Sequence, residues 1–318
     1  MTSIKKTIFF TLAVILILTQ LAAAAVSNSN SGTRSFNFLK IEVVARPTAM
    51  GGAFTGVADD PSALYYNPAG VAGLQGRQFL VGYHNTIFDM QSGFMGYVHS
   101  LSQTRKLYFV VSYLNYGDFI RTDGQGNELG TFSGGDFLLG VGYSAVVKER
   151  FQLGGTVKFM YEKVDSYSAT GIALDLGAKM KLPDRRTTLG LMVQNLGTQL
   201  SEYTSTSGKD PLPLNLRGGF SSRLKGMPIL FAVDAVLPSD NDLYFCLGAE
   251  YYKLKPLYLR LGWTSFGSNY KTNSSKDDLA GFSAGFGIDY NKFQISYSIS
   301  PQAELGTTHR VTLSGGLD

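Results

Sequence analysis

The chain has 318 residues, with 37 Gly, 21 Phe and 18 Tyr against one Cys and three His. Its charged fraction, 16%, is well below the ~25% of ordinary proteins, and its mean hydropathy is +0.02. A lone cysteine excludes an internal disulfide framework, and His84, His99 and His309 lie too far apart in sequence for a histidine metal centre. A net charge of +4, with Lys and Arg dispersed, gives no reason to expect nucleic acid. No metal and no cofactor is expected.

Residues 1–25 have the layout of a secretory signal peptide: Lys5 and Lys6, an apolar run from Ile8 to Leu18, then an A-x-A site within Ala22–Ala25. The run is about half of the ~20 residues that a transmembrane helix needs, which argues against the alternative of an anchor. Residues 26–35 read as a polar linker. Residues 36–76 are dense in small residues and lack sustained alternation, and Asp60-Pro61 and Asn67-Pro68 look like capped starts of short helices. This stretch is expected to be a compact element inside a barrel, or else a periplasmic appendage.

From residue 77 to 318 the hydrophobic pattern changes to period two. Alternating segments fall near 77–84, 90–99, 106–116, 136–147, 150–162, 171–182, 186–195, 214–224, 228–237, 243–252, 256–265, 280–290, 292–299 and 308–317. Most are close to the ~9–11 residues with which a tilted strand crosses a bilayer. The connections divide by parity. Short ones such as 148–149, 183–185 and 253–255 alternate with wider ones at 117–135, 163–170, 196–213, 266–279 and 300–307. Long loops at one end and short turns at the other are the organisation of an outer-membrane barrel.

The two faces settle which side meets lipid. One is apolar and almost free of charge. The other is rich in Gly, Ser and Thr and carries Lys158, Asp175, Lys179, Arg217, Asp234, Glu250, Arg260, Asp289 and Arg310, the candidate lumen-facing residues. Arg or Lys facing the bilayer midplane would cost ~2–4 kcal/mol, so the charged face belongs inside. The fold class expected is all-β: a transmembrane antiparallel barrel of about 14 strands with an N-terminal hatch or plug in the lumen. A soluble β-sandwich or repeat protein is the alternative.

The stretch Ala45–Leu74, ARPTAMGGAFTGVADDPSALYYNPAGVAGL, resembles the N-terminal motif of the PorV/PorQ family, within the superfamily of FadL-like long-chain fatty-acid transporters. The matching residues are Arg46, Met50, Gly51, Gly52, Ala53, Asp59, Asp60, Tyr66, Asn67, Pro68, Ala69 and Gly70. The resemblance implies an outer-membrane barrel with Asn67-Pro68-Ala69 in the hatch-motif position. It also implies an accessory role in type IX-like secretion, with secreted proteins or secretion components as partners. The alternative is a channel for hydrophobic small molecules such as long-chain fatty acids. Outer-membrane lipid is the expected surround in either case. One departure is the end of the chain, Leu317-Asp318, where such barrels usually carry a terminal aromatic residue.

Gly281-Phe282-Ser283-Ala284-Gly285 matches G-x-S-x-G, but alternation continues through Phe286, Ile288 and Tyr290, whereas a nucleophile elbow needs strand, turn and helix. No enzymatic activity is expected. Asp123–Glu128 is rich in oxygen ligands but lacks calcium-loop spacing.

Overall fold

A computed structural model describes residues 32–87, 90–204 and 208–317. The signal-peptide reading of residues 1–25 lies outside the described residues. Fourteen strands form one closed antiparallel barrel in which each strand pairs with its neighbours in sequence and β1 closes on β14. They are β1 Gln78–Asn85, β2 Gln91–Ser100, β3 Arg105–Thr122, β4 Glu128–Lys148, β5 Phe151–Val164, β6 Tyr167–Lys181, β7 Thr187–Ser201, β8 Asn215–Arg223, β9 Ile229–Pro238, β10 Tyr244–Tyr251, β11 Leu257–Thr264, β12 Phe282–Tyr290, β13 Phe293–Pro301 and β14 Thr307–Gly316. Closure leaves no unpaired edge, which a strand crossing lipid could not tolerate.

Every alternating segment of the sequence is a strand, and the alternation sorts inside from outside. In β5, Leu153, Val157 and Phe159 are exposed, while Thr156, Lys158 and Met160 are buried. In β6, Ile172 and Leu176 face out, and Ala173 and Asp175 face in. An apolar exterior around a polar interior is the reverse of a soluble barrel, and it makes this a transmembrane one. A direct check is Leu261→Arg at the middle of β11, where the leucine is 67% exposed. We expect a loss of ~2–4 kcal/mol in denaturant unfolding from lipid vesicles. An unchanged midpoint would mean that this face does not meet lipid.

Three of the expected loops are shorter than their sequence suggested. Residues 117–135 are mostly strand: β3 and β4 run on as a projecting hairpin around the turn at 123–127. Phe119 and Phe132 stack there at 5.3 Å between ring centroids, and Arg121 bridges to Asp165 at 2.5 Å. β5 and β6 close to a two-residue turn, and β7 continues to Ser201. Glycines and polar residues conceal these extensions, because beyond the membrane neither face must be apolar. The longest connections, 202–214 and 265–281, still lie at the same end of the barrel.

The segment before β1 is built of short helical pieces: Asn37–Lys40, Ala45–Ala49, Ala63–Tyr66 and Pro68–Gly73. Helix Ala45–Ala49 packs on β11 to β14, and Pro68–Gly73 packs on β3 to β6. Phe36, Val44, Met50, Phe54 and Tyr66 are fully buried. The described end of the linker is tied down at the long-loop rim, where Ser35 N–H donates to Pro211 O and Arg34 Nη2 to Ser239 O.

Candidate functional site

The residues singled out along the N-terminal segment and those on the polar strand face meet one another. Arg46 is the centre. Its Nε and Nη2 donate to both carboxylate oxygens of Glu250 on β10, at 2.8 and 2.9 Å. Its Nη1 reaches Asp59 at 2.7 Å and Asp60 at 2.8 Å, and its guanidinium lies 5.2 Å from the centroid of the Phe54 ring. Glu250 also accepts from Arg260 Nε at 2.7 Å. The planar fork of arginine suits this arrangement, because one side chain must serve three carboxylates in different directions. Partial burial pushes the Asp59 carboxyl up, but Arg46, Lys179 and Arg223 outweigh it and hold it down at about 2. Asp59 therefore stays ionised throughout the neutral range.

Further anchors run round the ring. Asp234 on β9 accepts from the N–H groups of Phe54 and Thr55 at 3.1 and 2.9 Å. Arg217 on β8 donates to Gly52 O at 2.5 Å and lies 3.3 Å from Asp234 and 3.9 Å from Glu42. Lys179 donates to the carbonyls of Val57 and Ala58, and Arg310 to that of Glu42. Thr312 accepts from Ala45 N–H, and Ser283 from Gly51 N–H. Ser283 is thus a hydroxyl near the start of β12 engaged with backbone, and the strand continues to Tyr290 without a turn into a helix. Two candidate groups lie apart from these anchors. Lys158 pairs with Asp175 at 2.6 Å beside Asn195, and Asp289 accepts from Tyr258 and Gln294.

The small residues of the motif have specific steric duties. Asn67 is fully buried. Its Oδ1 accepts from Ala69 N–H and its Nδ2 donates to Thr55 O and Ala178 O, with Pro68 opening the helical turn behind it. Gly51 and Gly52 take positive φ, and a Cβ on Gly51 would lie 2.6 Å from Trp263 N. A Cβ on Gly70 would lie 2.2 Å from Ala58 O. The strands answer with glycines of their own: a Cβ on Gly154 would meet Pro68 at 2.4 Å, on Gly177 Asn67 Oδ1 at 2.2 Å, and on Gly248 Met50 O at 2.6 Å. Much of the inward-facing glycine therefore exists to let two backbones touch.

Between this segment and the long-loop rim is a chamber of about 540 Å³. Phe38, Ile41, Tyr65, Met90, Tyr244 and Phe266 supply apolar walls, and His84, Glu42, Arg217 and Arg310 line it as well. Of the charges there, Arg217 pairs with Asp234 and lies 3.9 Å from Glu42, Lys40 pairs with Asp240, and Arg310 donates to the Glu42 carbonyl and the Thr308 hydroxyl. Sequence reading missed Glu42, Tyr65 and Asn195. Glu42 and Tyr65 precede the alternating region. Asn195 sits at a β-bulge, at φ 61°, where the β6–β7 register shifts between Leu174 and Leu176.

No protein-family profile matches the chain, and no curated protein matches it by sequence. Solved structures do match in fold. The Ralstonia pickettii toluene transporter TbuX is 14% identical with a TM-score of 0.58, covering 84% of this chain and 95% of its own. The Pseudomonas putida toluene transporter TodX gives 14% and 0.58, over 86% and 96%. A Pseudomonas aeruginosa FadL homologue gives 13% and 0.54, over 86% and 98%. These likenesses support the FadL-like part of the resemblance drawn from residues 45–74, at the level of fold. They carry nothing for its PorV/PorQ part.

Proposed function

We propose that the protein is a non-enzymatic channel of the bacterial outer membrane for hydrophobic small molecules, closed by the segment 36–76 acting as a hatch. The chamber carries this reading. Its volume is within the ~300–1,000 Å³ range of small-molecule sites, its walls are largely apolar, and its charged side chains are ion-paired or hydrogen-bonded within the protein. A neutral or weakly polar solute would enter without breaking an ion pair or needing a counter-charge. The fold shared with toluene transporters and a FadL homologue points the same way. The protein-cargo role rests on the thirty-residue resemblance alone, and a chamber of this size suits a small molecule rather than a polypeptide domain.

Uptake into vesicles tests the reading. Vesicles holding the protein should accumulate labelled toluene or a long-chain fatty acid faster than empty ones. Ile41→Trp, which fills the chamber, should slow uptake several-fold without altering the heat stability of the barrel. Uptake equal to that of empty vesicles for both solutes would sink the proposal, as would a rate insensitive to filling.

A further inference from the structure

Charge is distributed unequally between the two ends of the barrel. Each of the six short turns carries an exposed basic side chain: Arg105, Lys148, Arg186, Lys225, Lys253 and Lys292, in chain order. The carboxylates of this rim are few. Glu149 is exposed, and Asp184 is engaged by the N–H groups of Arg186 and Thr187 and by the Thr187 hydroxyl. Asp59 pairs with Arg223. The opposite rim has the other sign, with Asp118, Glu128, Asp210, Asp278 and Glu304 exposed. Of its bases, Lys40, Arg121 and Lys276 are ion-paired to Asp240, Asp165 and Glu304, while Lys163, Lys209 and Lys271 are exposed and outnumbered by the carboxylates of this end.

The basic rim has a second property. Large apolar side chains are interleaved with the bases at the turns themselves. Leu101, Val147, Met227 and Leu254 are each about half exposed, Val147 next to Lys148 and Leu254 between Lys253 and Lys255. An apolar tip beside a long basic stem is costly to hold in bulk water. It suits a boundary where the tip reaches acyl chains while the ammonium or guanidinium sits among phosphates.

We propose that the short-turn rim is a collar for anionic phospholipid headgroups, belonging to the leaflet in which this end of the barrel is embedded. The bases occur at every turn round the ring. A leaflet also surrounds the barrel completely, whereas a protein partner would need charge on one sector only. Fixed positive charge within a Debye length of anionic headgroups enriches them locally, roughly fivefold for a single base. The inference rests on the barrel crossing a membrane, not on what it conducts, so a failed uptake assay leaves it standing.

The test offers the purified full-length protein equal amounts of phosphatidylglycerol and phosphatidylcholine in detergent and counts retained lipids by native mass spectrometry. Phosphatidylglycerol should be retained over phosphatidylcholine by ~5-fold or more. The variant Lys148→Gln/Arg186→Gln/Lys225→Gln/Lys253→Gln, which leaves Arg105 and Lys292, should lower the ratio several-fold. Lys271→Gln/Lys276→Gln, at the opposite rim, should leave it unchanged. Should the rim variant fail to fold, the native protein in high salt replaces it, and screening should remove the preference. No preference in the native protein, or one that survives both neutralisation and salt, overturns the proposal. So does a rim variant that keeps its lipid ratio but loses a crosslinked acidic protein.

Discussion

Replacing Arg46 with Met should lower stability by ~3–5 kcal/mol, because it leaves the buried Glu250 and the partly exposed Asp59 and Asp60 facing one another without the cation that joins them. Glu250 keeps Arg260, and Asp59 keeps Arg223, so the lower part of that range is expected. The measurement is the temperature at which the unboiled, fast-migrating gel band is lost. Arg46→Lys should recover only part of the stability, since one ammonium cannot serve both oxygens of Glu250 and two aspartates as well. Arg46→Met combined with Glu250→Gln should cost less than the sum of the two single changes. The dependence on acid is also set. Asp59 has its ordinary 3.8 lowered to about 2, so its contribution is complete above pH 4 and is lost as pH falls toward 2. Native protein and Arg46→Met should therefore differ by a constant amount from pH 7 to pH 5 and converge only in stronger acid. Equal stability of the two at pH 7 would show that the Arg46 cluster does not hold the segment.

The second large effect should come from a strand glycine. A Cβ on Gly190 would stand 2.0 Å from the carbonyl oxygen of Thr55, and backbone cannot yield there without loosening the bonds from Phe54 and Thr55 to Asp234. Gly190→Val should leave the barrel able to form, since valine suits a strand, but should push the segment off its seat. The expected outcome is a large rise in ion conductance across planar bilayers. Gly218→Val is the control, because a Cβ there meets its nearest side chain, Leu191, at an ordinary 3.6 Å. Unaltered conductance from a folded Gly190→Val barrel would mean that residues 36–76 do not close the lumen.

The strands were legible because lipid imposes a rule on every second residue, and the rule is local. Leu174, Asp175 and Leu176 need no distant partner to show which way they face. The hairpin beyond Asn115 escaped notice where that rule lapses: Gly117, Gly130, Gly134 and Gly135 carry no face preference, yet Phe119 and Phe132 still stack across it. The site was half legible. The inward charges were found by parity, and the motif residues by resemblance. What joins them was not, because Arg46 and Glu250 are 204 residues apart and Arg310 and Glu42 are 268 apart. No spacing rule reaches so far.

The anchors also constrain the order of assembly. The segment is covalently joined to the start of β1, yet it is held by Lys179, Arg217, Asp234, Glu250, Ser283, Arg310 and Thr312, which lie between β6 and β14. It is made first and finds its last partners when the chain is complete. The seam between β1 and β14 is also the last that the chain can close. Seating of the segment therefore cannot be complete before β14 is in place, because Arg310 and Thr312 are among its partners.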